Sequence, residues 1–480
     1  MKNNYLGQKG YSIYKNNLSI EEQNNIRKDL LVQPITPKSP VKPESFPIYL
    51  ESPEKIYVPR YYGITKYGIP EIKITAGDDI NLKFNGTLRD YQSIIVDKFI
   101  KSVTKSPAEG GGLIDLPCGR GKTVIGIKIL ISLKKKTLII VHKEFLLNQW
   151  IERINEFCPE AKIGLIQGQI IDIEGKDIVI GMLQSLSMKE YPQDQFKSFG
   201  FTIFDECHHI SSETFSRAMQ KIVTQYTLGL SATMNRKDGL TKVFKLFLGE
   251  IIYKEKRESD ENVLVKAIYY SNFDEDFNNT EYDFRGNPKY STMITKISEF
   301  NNRTEFLLTI IKEELRLNKD QQILFLAHRK NLLSYIFKAL EHRNISTVGY
   351  YIGGMKEKDL KESEKKQVIL ATYQMAEEGL DIKSLTTLML STSKTDIVQA
   401  VGRILRVKHK NPLIIDIVDS HEIFQNQFNK RRAYYIKNKY KIINTNNSLY
   451  LSNDYKINYD PLVKENKKEK NIKNECLVTI

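Results

Sequence analysis

Twice along this chain, short apolar runs of strand length alternate with stretches of helical character, and that doubled rhythm limits the fold more than any single residue does. The first series occupies residues 85–256 and contains LIDLP, TLIIVH, DIVIGM, FTIFD and TLGLSAT. Runs so short and so uniformly apolar fit strands covered on both faces, and the helices between them supply the crossovers that parallel strands require. The second series occupies residues 300–445, with QQILFLAHR, QVILAT, TTLMLS and PLIIDIVD. Its first strand is followed by a helix in which Leu332, Leu333, Ile336, Phe337 and Leu340 share one face. The expected fold class is α/β: two tandem domains, each a parallel sheet flanked by helices. A length of 480 residues agrees, because one core rarely keeps growing beyond about 250–300 residues.

The remainder divides by composition. Residues 1–84 hold the turn-rich PITPKSPVKPESFP and then the aromatic, basic IYVPRYYGITKYGIP, which reads as a small N-terminal accessory domain. Its Tyr57, Tyr61, Tyr62 and Tyr67 are expected to pack a core rather than stack on bases. Residues 257–299, including NFDEDFNNTEYDFRGNP, are polar and acid-rich and are expected to form a linker or insertion. From residue 421 onward 12 Lys or Arg stand against 6 Asp or Glu, so residues 446–480, with KENKKEKNIKNE, are expected to be a basic tail. Lys430, Arg431 and Arg432 fit equally a phosphate track and a solvated face.

With 41% hydrophobic and 27% charged residues, no 18-residue apolar run and no cleavable signal, the expectation is a cytoplasmic protein without a membrane partner. Cys118, Cys158, Cys207 and Cys476 lie far apart and form no CxxC pair, so structural disulfides are not expected. The net charge of +14 suits a nucleic-acid partner, because basic side chains displace counterions from phosphates. A Lys- and Asn-rich coding bias would give the same charge, which therefore only supports other signals.

The strongest local signal is LIDLPCGRGKT at 113–123: a strand, a glycine-containing turn, then the amphipathic VIGIKILISL. Such a loop cradles phosphates with backbone N–H groups at a helix N-terminus. Here Pro117, Cys118, Gly119, Arg120 and Gly121 would form the cradle. Lys122 would reach the β and γ phosphates and the Thr123 hydroxyl would ligate Mg²⁺, so ATP and Mg²⁺ are the expected cofactors. Leu116 stands where the strict pattern has glycine.

FTIFDECHH at 201–209 is an apolar strand ending in two carboxylates. Asp205 suits the Mg²⁺ side, and Glu206 suits the base that orients and deprotonates an attacking water. Cys207, His208 and His209 are consecutive and make a poor tetrahedral chelate, so no zinc is expected. In TDIVQAVGRILRV at 395–407, Gln399, Arg403 and Arg406 fall on one helix face, with Ile397, Val401, Ile404 and Leu405 opposite. The apolar side is expected to dock and the arginines to project, ready to meet charge that develops on a γ phosphate. Trp150 is read as core.

The ordered set LRDYQ (88–92), LPCGRGKT (116–123), GMLQSL (181–186), DECH (205–208), SAT (231–233), ATYQMAEEGLDI (371–382) and QAVGRILR (399–406) resembles the motif series of superfamily 2 helicases. The resemblance implies two tandem RecA-like P-loop domains and ATP hydrolysis stimulated by nucleic acid. It implies that Arg89 and Gln92 face the nucleotide, Gln92 reading the adenine, and that Gln399 joins them. Gly379 and Asp381 would lie in the motif facing both ligands. Ser231 and Thr233 would couple hydrolysis to motion, His208 would relay between nucleotide and nucleic acid, and Gln184, Ser185 and Thr372 would touch the nucleic-acid backbone.

LPCGRGKT, DECHH and LGLSATMNRKDGLTKVFKLFLG look like the branch containing XPB and the phage UvsW helicase. IYVPRYYG and the Lys/Asn/Ile-rich composition are similar to the transcript-release helicases of large cytoplasmic DNA viruses of the poxvirus, mimivirus and asfarvirus type. Arg236, Lys237 and Asp238 match the Arg-Glu-Asp element of XPB-like proteins only loosely. The DEAD-box signature is not matched: DECH, VHKEFLLNQW and VGRILR stand in its place, which favours DNA. The resemblance thus implies an ATP-dependent DNA helicase or translocase acting in viral transcript release or termination, with transcription machinery as partner and a viral factory or virion as location. The alternatives are an RNA helicase of a viral transcription machinery and a catalytically silent nucleic-acid-binding scaffold.

Overall fold

The apolar runs form strands buried on both sides. The computed structural model describes residues 3–35, 43–117, 119–192, 194–207, 213–232, 234, 239–255, 262–378, 380, 382–407 and 409–463, without the side chains of 214, 215 and 378. The chain divides into two compact units, Met1–Lys256 and Arg257–Ile480.

In the first unit an eight-stranded sheet has the order Ile170–Ile171, Ile163–Gln167, Ile178–Met182, Thr137–Val141, Phe201–Asp205, Tyr226–Ser231, Gly111–Asp115 and Ile251–Lys254. All pairings are parallel except the one at the Ile170–Ile171 edge. Alternation along one strand feeds two cores: Ile139 and Val141 enter one, Leu138 and Ile140 the other. This is one RecA-like layer, with helices on both faces of a parallel sheet.

The N-terminal region belongs to the same compact unit. Its five-stranded sheet runs Leu50–Glu51, Lys55–Val58, Gly10–Tyr14, Tyr5–Gly7, Glu71–Ile72. Tyr11, Ile13, Ile56 and Val58 on one face pack with Leu240 and Val243 around the helix Thr241–Leu248. The helix Arg60–Tyr67 pins the region to the large sheet. The buried Arg60 guanidinium donates to the carbonyls of Thr224 (2.6 Å) and Gln225 (3.1 Å), and the Tyr61 hydroxyl donates to the carbonyl of Gly111 (2.9 Å). Tyr62 and Tyr67 pack against the small core as expected, but Tyr57 does not: it lies on the opposite face of the sheet, half-buried.

The second unit repeats the layer with the order Val348–Tyr351, Val368–Thr372, Ile323–Ala327, Thr387–Leu390, Leu413–Asp419, Leu264–Tyr270, Lys441–Asn446, Lys456–Tyr459. Only the last strand is antiparallel. Three expectations are corrected here. Residues 264–270, expected within a linker, form an interior strand between Leu413–Asp419 and Lys441–Asn446, and the helix Tyr290–Glu299 buries Met293, Ile294 and Ile297 in the core. The expected tail begins too early: Tyr450 is buried and Lys456–Tyr459 pairs with Lys441–Asn446, while residues 464–480 lie outside the described residues. Arg431, read as phosphate-tracking or solvated, is 1% exposed and donates to Asp416 through both Nε and Nη2 at 2.8 Å.

Candidate active site

Three neighbouring strands of the first sheet deliver the motif residues to one edge. The strand Gly111–Asp115 pairs with Tyr226–Ser231, which pairs with Phe201–Asp205, so the phosphate loop, Ser231 and Asp205 all leave from the same C-terminal edge. In open parallel sheets that edge is where ligands sit. The loop enters the helix Lys122–Leu133 through Gly119 (φ +82°) and Gly121 (φ +74°), left-handed conformations that favour glycine. Gly121 is also needed for space, because a Cβ there would stand 2.4 Å from Gln92 Nε2.

Gln92 is buried and holds this loop. Its Nε2 donates to the Arg120 carbonyl (3.3 Å) and its Oε1 accepts from the Arg89 N–H (3.0 Å). The exposed Arg89 begins the helix Asp90–Val103 that presents Gln92. Arg120 turns its guanidinium to Glu255, with Nε 2.9 Å from Oε2, and stacks 4.1 Å from the Tyr91 ring centroid. Pro117 is half-buried at the loop's start, and Cys118 lies outside the described residues.

The ionic centre is compact. Lys122 Nζ stands 2.7 Å from Glu206 Oε1, with both side chains less than one-fifth exposed. Ser231 Oγ donates to Glu206 Oε2 at 3.4 Å. Glu206 has φ +47°, a costly conformation for a side-chain-bearing residue, and it turns the chain sharply at the strand end. Asp205 accepts from the Glu206 N–H (3.0 Å) through Oδ1 and from the Trp150 indole Nε1 (2.9 Å) through Oδ2. Burial pushes its carboxyl above the usual range, the Glu206 charge adds to this, and Lys122 opposes it.

Trp150 is core, as read, but its contact with Asp205 was missed. It sits on the helix Glu144–Phe157, fully buried, against the phosphate-loop helix, where a Cβ on Gly126 would come within 2.8 Å of the ring. The available hint was Gly126 opposite an indole that needs an acceptor. Cys207 is buried, its thiol pushed up by desolvation, and packs 4.0 Å from Met234 Sδ. His208 and Thr233 lie outside the described residues.

In the second unit the helix is Val398–Ile404, shorter than expected. Ile397, Val401 and Ile404 are buried as anticipated, and Leu405 packs against the same core. Arg403 does not project: it is 5% exposed, and its guanidinium donates to the carbonyls of Leu380 (2.9 Å) and Glu377. Arg406 also donates to Leu380 O (2.7 Å), and Gln399 is half-exposed. The segment that carries Gly379 and Asp381 thus supplies carbonyls to both arginines, although those two residues themselves lie outside the described residues.

Gln184 is exposed and Ser185, half-buried, accepts from the Gly168 N–H (3.0 Å), both on the helix Leu183–Met188 that follows the strand Ile178–Met182. The second unit repeats this turn: Val368–Thr372 leads into Tyr373–Glu378, with Thr372 half-buried and Gln374 exposed at the counterpart of Gln184. Thr372 and Gln374 thus stand at the turn that corresponds to Met182 and Gln184, and LQS and YQM show the repeat in the sequence.

The donor set fits the expected cofactors. A hydroxyl at Thr123 and a buried carboxylate at Asp205 are hard oxygen ligands of the kind Mg²⁺ takes. An acid whose ionised form is resisted by burial is one that a divalent cation would satisfy. Among the described residues no group of three or more His, Cys, Asp or Glu could hold a metal by itself, and no helix is long and apolar enough to cross a membrane.

Residues 85–236 match the family described as type III restriction enzyme, res subunit, and residues 302–408 match the helicase conserved C-terminal domain. A putative ATP-dependent RNA helicase of Acanthamoeba polyphaga mimivirus is 38% identical over 466 residues, covering 94% of this chain and 88% of the relative. The DNA 3'-5' translocase XPB2 of Sulfurisphaera tokodaii is 27% identical over 69% of this chain and 81% of its own length. The structure of S. cerevisiae Dbp5 bound to RNA and ADP BeF3 shares the fold, with a TM-score of 0.51 at 12% identity over 74% of this chain and 95% of that one. Similarity to the mimivirus protein along nearly its whole length means that the chain belongs to the superfamily 2 helicases.

Proposed function

We propose that this helicase is an ATP-driven DNA translocase whose hydrolysis is stimulated by DNA and which displaces RNA or transcription complexes, as in viral transcript release. The observation that carries the ATPase part is the Lys122–Glu206–Asp205 cluster at the edge of three adjacent strands. In this reading Lys122 leaves Glu206 for the β and γ phosphates. Glu206, released, orients a water and takes its proton. Thr123 and Asp205 would hold Mg²⁺, which when bound neutralises charge on the phosphates. Trp150 fixes the Asp205 carboxylate by one of its oxygens. Ser231 senses the Glu206 carboxylate, and with Thr233 and His208 is proposed to couple turnover to motion. Gln92 and Arg89 are proposed to border the base, and Gln399, Gly379 and Asp381 to complete the nucleotide contacts.

Arg403 and Arg406 are proposed to meet transition-state charge, a role that requires them to exchange the Leu380 carbonyl for phosphate oxygen. Gln184, Ser185 and Thr372 are proposed to grip the nucleic-acid backbone, so affinity falls with salt and shows little base preference. DNA is favoured by the motif departures from the DEAD-box pattern and by similarity to a protein named a DNA translocase. An RNA substrate is the second reading, because the mimivirus relative is named an RNA helicase. Phosphate release measured with single-stranded DNA, duplex DNA, RNA and an RNA–DNA hybrid tests both. The proposal expects the largest stimulation with DNA. Stimulation by RNA alone transfers the assignment to the second reading, and no stimulation by either removes both.

A further inference from the structure

The N-terminal sheet has one face in a core, and its other face, where the central Ser12 is buried and the flanking rings are half-buried, carries a pattern that the helicase motifs do not use. Register puts Tyr5 opposite Ser12, Ser12 opposite Tyr57, and Tyr14 opposite Lys55. Opposed residues project to one side of a sheet, as do residues two apart on a strand. Tyr5, Tyr14 and Tyr57 therefore share the side away from the buried Tyr11, Ile13, Ile56 and Val58. The Tyr5 and Tyr14 ring centroids are 6.1 Å apart.

Lysines interleave these rings. Lys55 Nζ lies 5.3 Å from the Tyr5 centroid and 4.9 Å from that of Tyr14, Lys73 Nζ lies 4.9 Å from Tyr5, and Lys9 Nζ lies 5.3 Å from Tyr57. The three rings are half-buried, and Lys9 and Lys73 are exposed. Two acids stand nearby: Glu71 answers Lys73 at 3.1 Å, and Glu51 is held by Lys15 at 2.8 Å and Arg27 at 2.7 Å. Among the described residues, neither Lys9 nor Lys55 is paired with a carboxylate, and Lys55 donates instead to the Tyr5 hydroxyl at 3.1 Å.

Phenol rings alternating with ammonium groups offer a base a surface to stack on and a phosphate a cation beside it. A duplex keeps its base faces stacked inside, so only an unpaired strand can use the rings. An apolar protein surface would leave Lys9 and Lys55 without an anion, whereas a phosphate backbone supplies one to both. We propose that this face holds an unpaired DNA strand. The choice of DNA rests on the function proposed above, while the stacking surface rests on the sheet alone. Because the sheet docks on Thr241–Leu248 and is tied to the large sheet by Arg60 and Tyr61, the held strand and the phosphate loop belong to one compact unit. A strand gripped there stays with the motor after the motif contacts let go.

The test uses the full chain with the paired substitutions Tyr5→Leu and Tyr14→Leu, and separately Lys9→Glu, whose exposed position spares the fold. Labelled 12-nucleotide single-stranded DNA, RNA of the same sequence and 12-base-pair DNA are titrated, alongside ATPase rates without DNA and across a DNA titration. Losing two stacking rings should weaken single-stranded DNA binding roughly tenfold or more and raise the DNA concentration for half-maximal stimulation in step. The rate without DNA, the maximal stimulated rate and the duplex affinity should stay unchanged. Tyr5→Phe with Tyr14→Phe should keep full binding, because stacking needs no hydroxyl, and Lys9→Glu should weaken it several-fold. Unchanged single-stranded DNA affinity in both the Leu pair and Lys9→Glu overturns the proposal. So does an equal loss for duplex, binding of RNA in place of DNA, or displacement of the DNA by an acidic peptide at the same concentration as by nucleic acid. If wild type binds through this face but its ATPase ignores DNA, the proposed function fails and the face stands; if DNA stimulates and the variants match wild type, the face alone fails.

Discussion

Both large sheets carry acids on an interior strand, and the two units treat those acids in opposite ways. In the second unit Asp416 and Asp419 are wholly buried, and each is gripped by an arginine: Arg431 donates twice to Asp416 at 2.8 Å and Arg303 donates to Asp419 Oδ2 at 2.9 Å. The Tyr435 hydroxyl adds a third donor to Asp416 at 2.8 Å. In the first unit Asp205 has an indole N–H and a backbone N–H but, among the described residues, no guanidinium fork, and the nearby Lys122 is engaged by Glu206. A carboxylate closed by a fork is finished as structure. One that burial pushes toward its neutral form, beside a second acid and a shared cation, is poised for a ligand. One fold used twice thus sets the strand end proposed as reactive against a structural one.

The largest expected effect falls on the structural side. Arg431→Met leaves Asp416 buried without its fork and should destabilise the second unit by about 3–5 kcal/mol, read by denaturant unfolding. A loss under about 1 kcal/mol would erase the distinction between the two strand ends. On the reactive side Lys122→Ala should lower phosphate release by about 10²–10³-fold and weaken nucleotide binding, while the unfolding midpoint moves little. An unfolded Lys122→Ala protein would instead make that lysine structural.

The pH response separates the units next. His328 has Nδ1 2.8 Å from Thr392 Oγ1, and burial, then Lys394 and Arg329, press its pKa down to about 4. Between about pH 6.5 and pH 4 the unfolded chain binds a proton that the folded unit refuses. The second unit should hold this contribution in full above pH 6.5 and lose on the order of 2 kcal/mol as pH falls through that window. Comparing unfolding at pH 7 and pH 4.5 for wild type and His328→Gln checks it, and the variant should show the smaller drop. Asp205, raised by burial, runs the other way: the first unit gains as that carboxyl takes up its proton.

Trp150→Phe is the smallest change. It keeps a ring beside Gly126 and deletes the N–H that Asp205 accepts, so turnover should fall roughly tenfold and the Mg²⁺ needed for half-maximal rate should rise. Unaltered Mg²⁺ dependence would reduce Trp150 to packing.

What could be read from the sequence follows from range. The strands named from the sequence were legible because two-sided burial leaves uninterrupted apolar runs, and the phosphate loop because its chemistry is contiguous. The strand Leu264–Tyr270 was not, because Lys266 breaks its run. That lysine is answered by Glu314 at 2.7 Å, from a helix 48 positions away, with the Tyr450 hydroxyl donating to the same carboxylate from the chain's far end. Arg431 failed for the same reason, since a lysine and arginine cluster reads as surface until Asp416 is seen opposite. Trp150 was legible as core and not as a donor, because Asp205 lies 55 residues downstream. Arg403 was placed on the correct helix with its apolar partners, but a helical wheel carries no information about the carbonyls of Leu380 and Glu377 that draw it inward.

The central claim is that Glu206, now paired with Lys122, becomes the base for ATP hydrolysis. Glu206→Gln keeps shape and hydrogen-bonding capacity but removes the basic carboxylate, so ATP binding and phosphate release measured on the same sample in the presence of DNA test it directly. The account predicts ATP affinity within a few-fold of wild type and phosphate release reduced about 10²–10⁴-fold. Normal turnover by the Gln variant would contradict it.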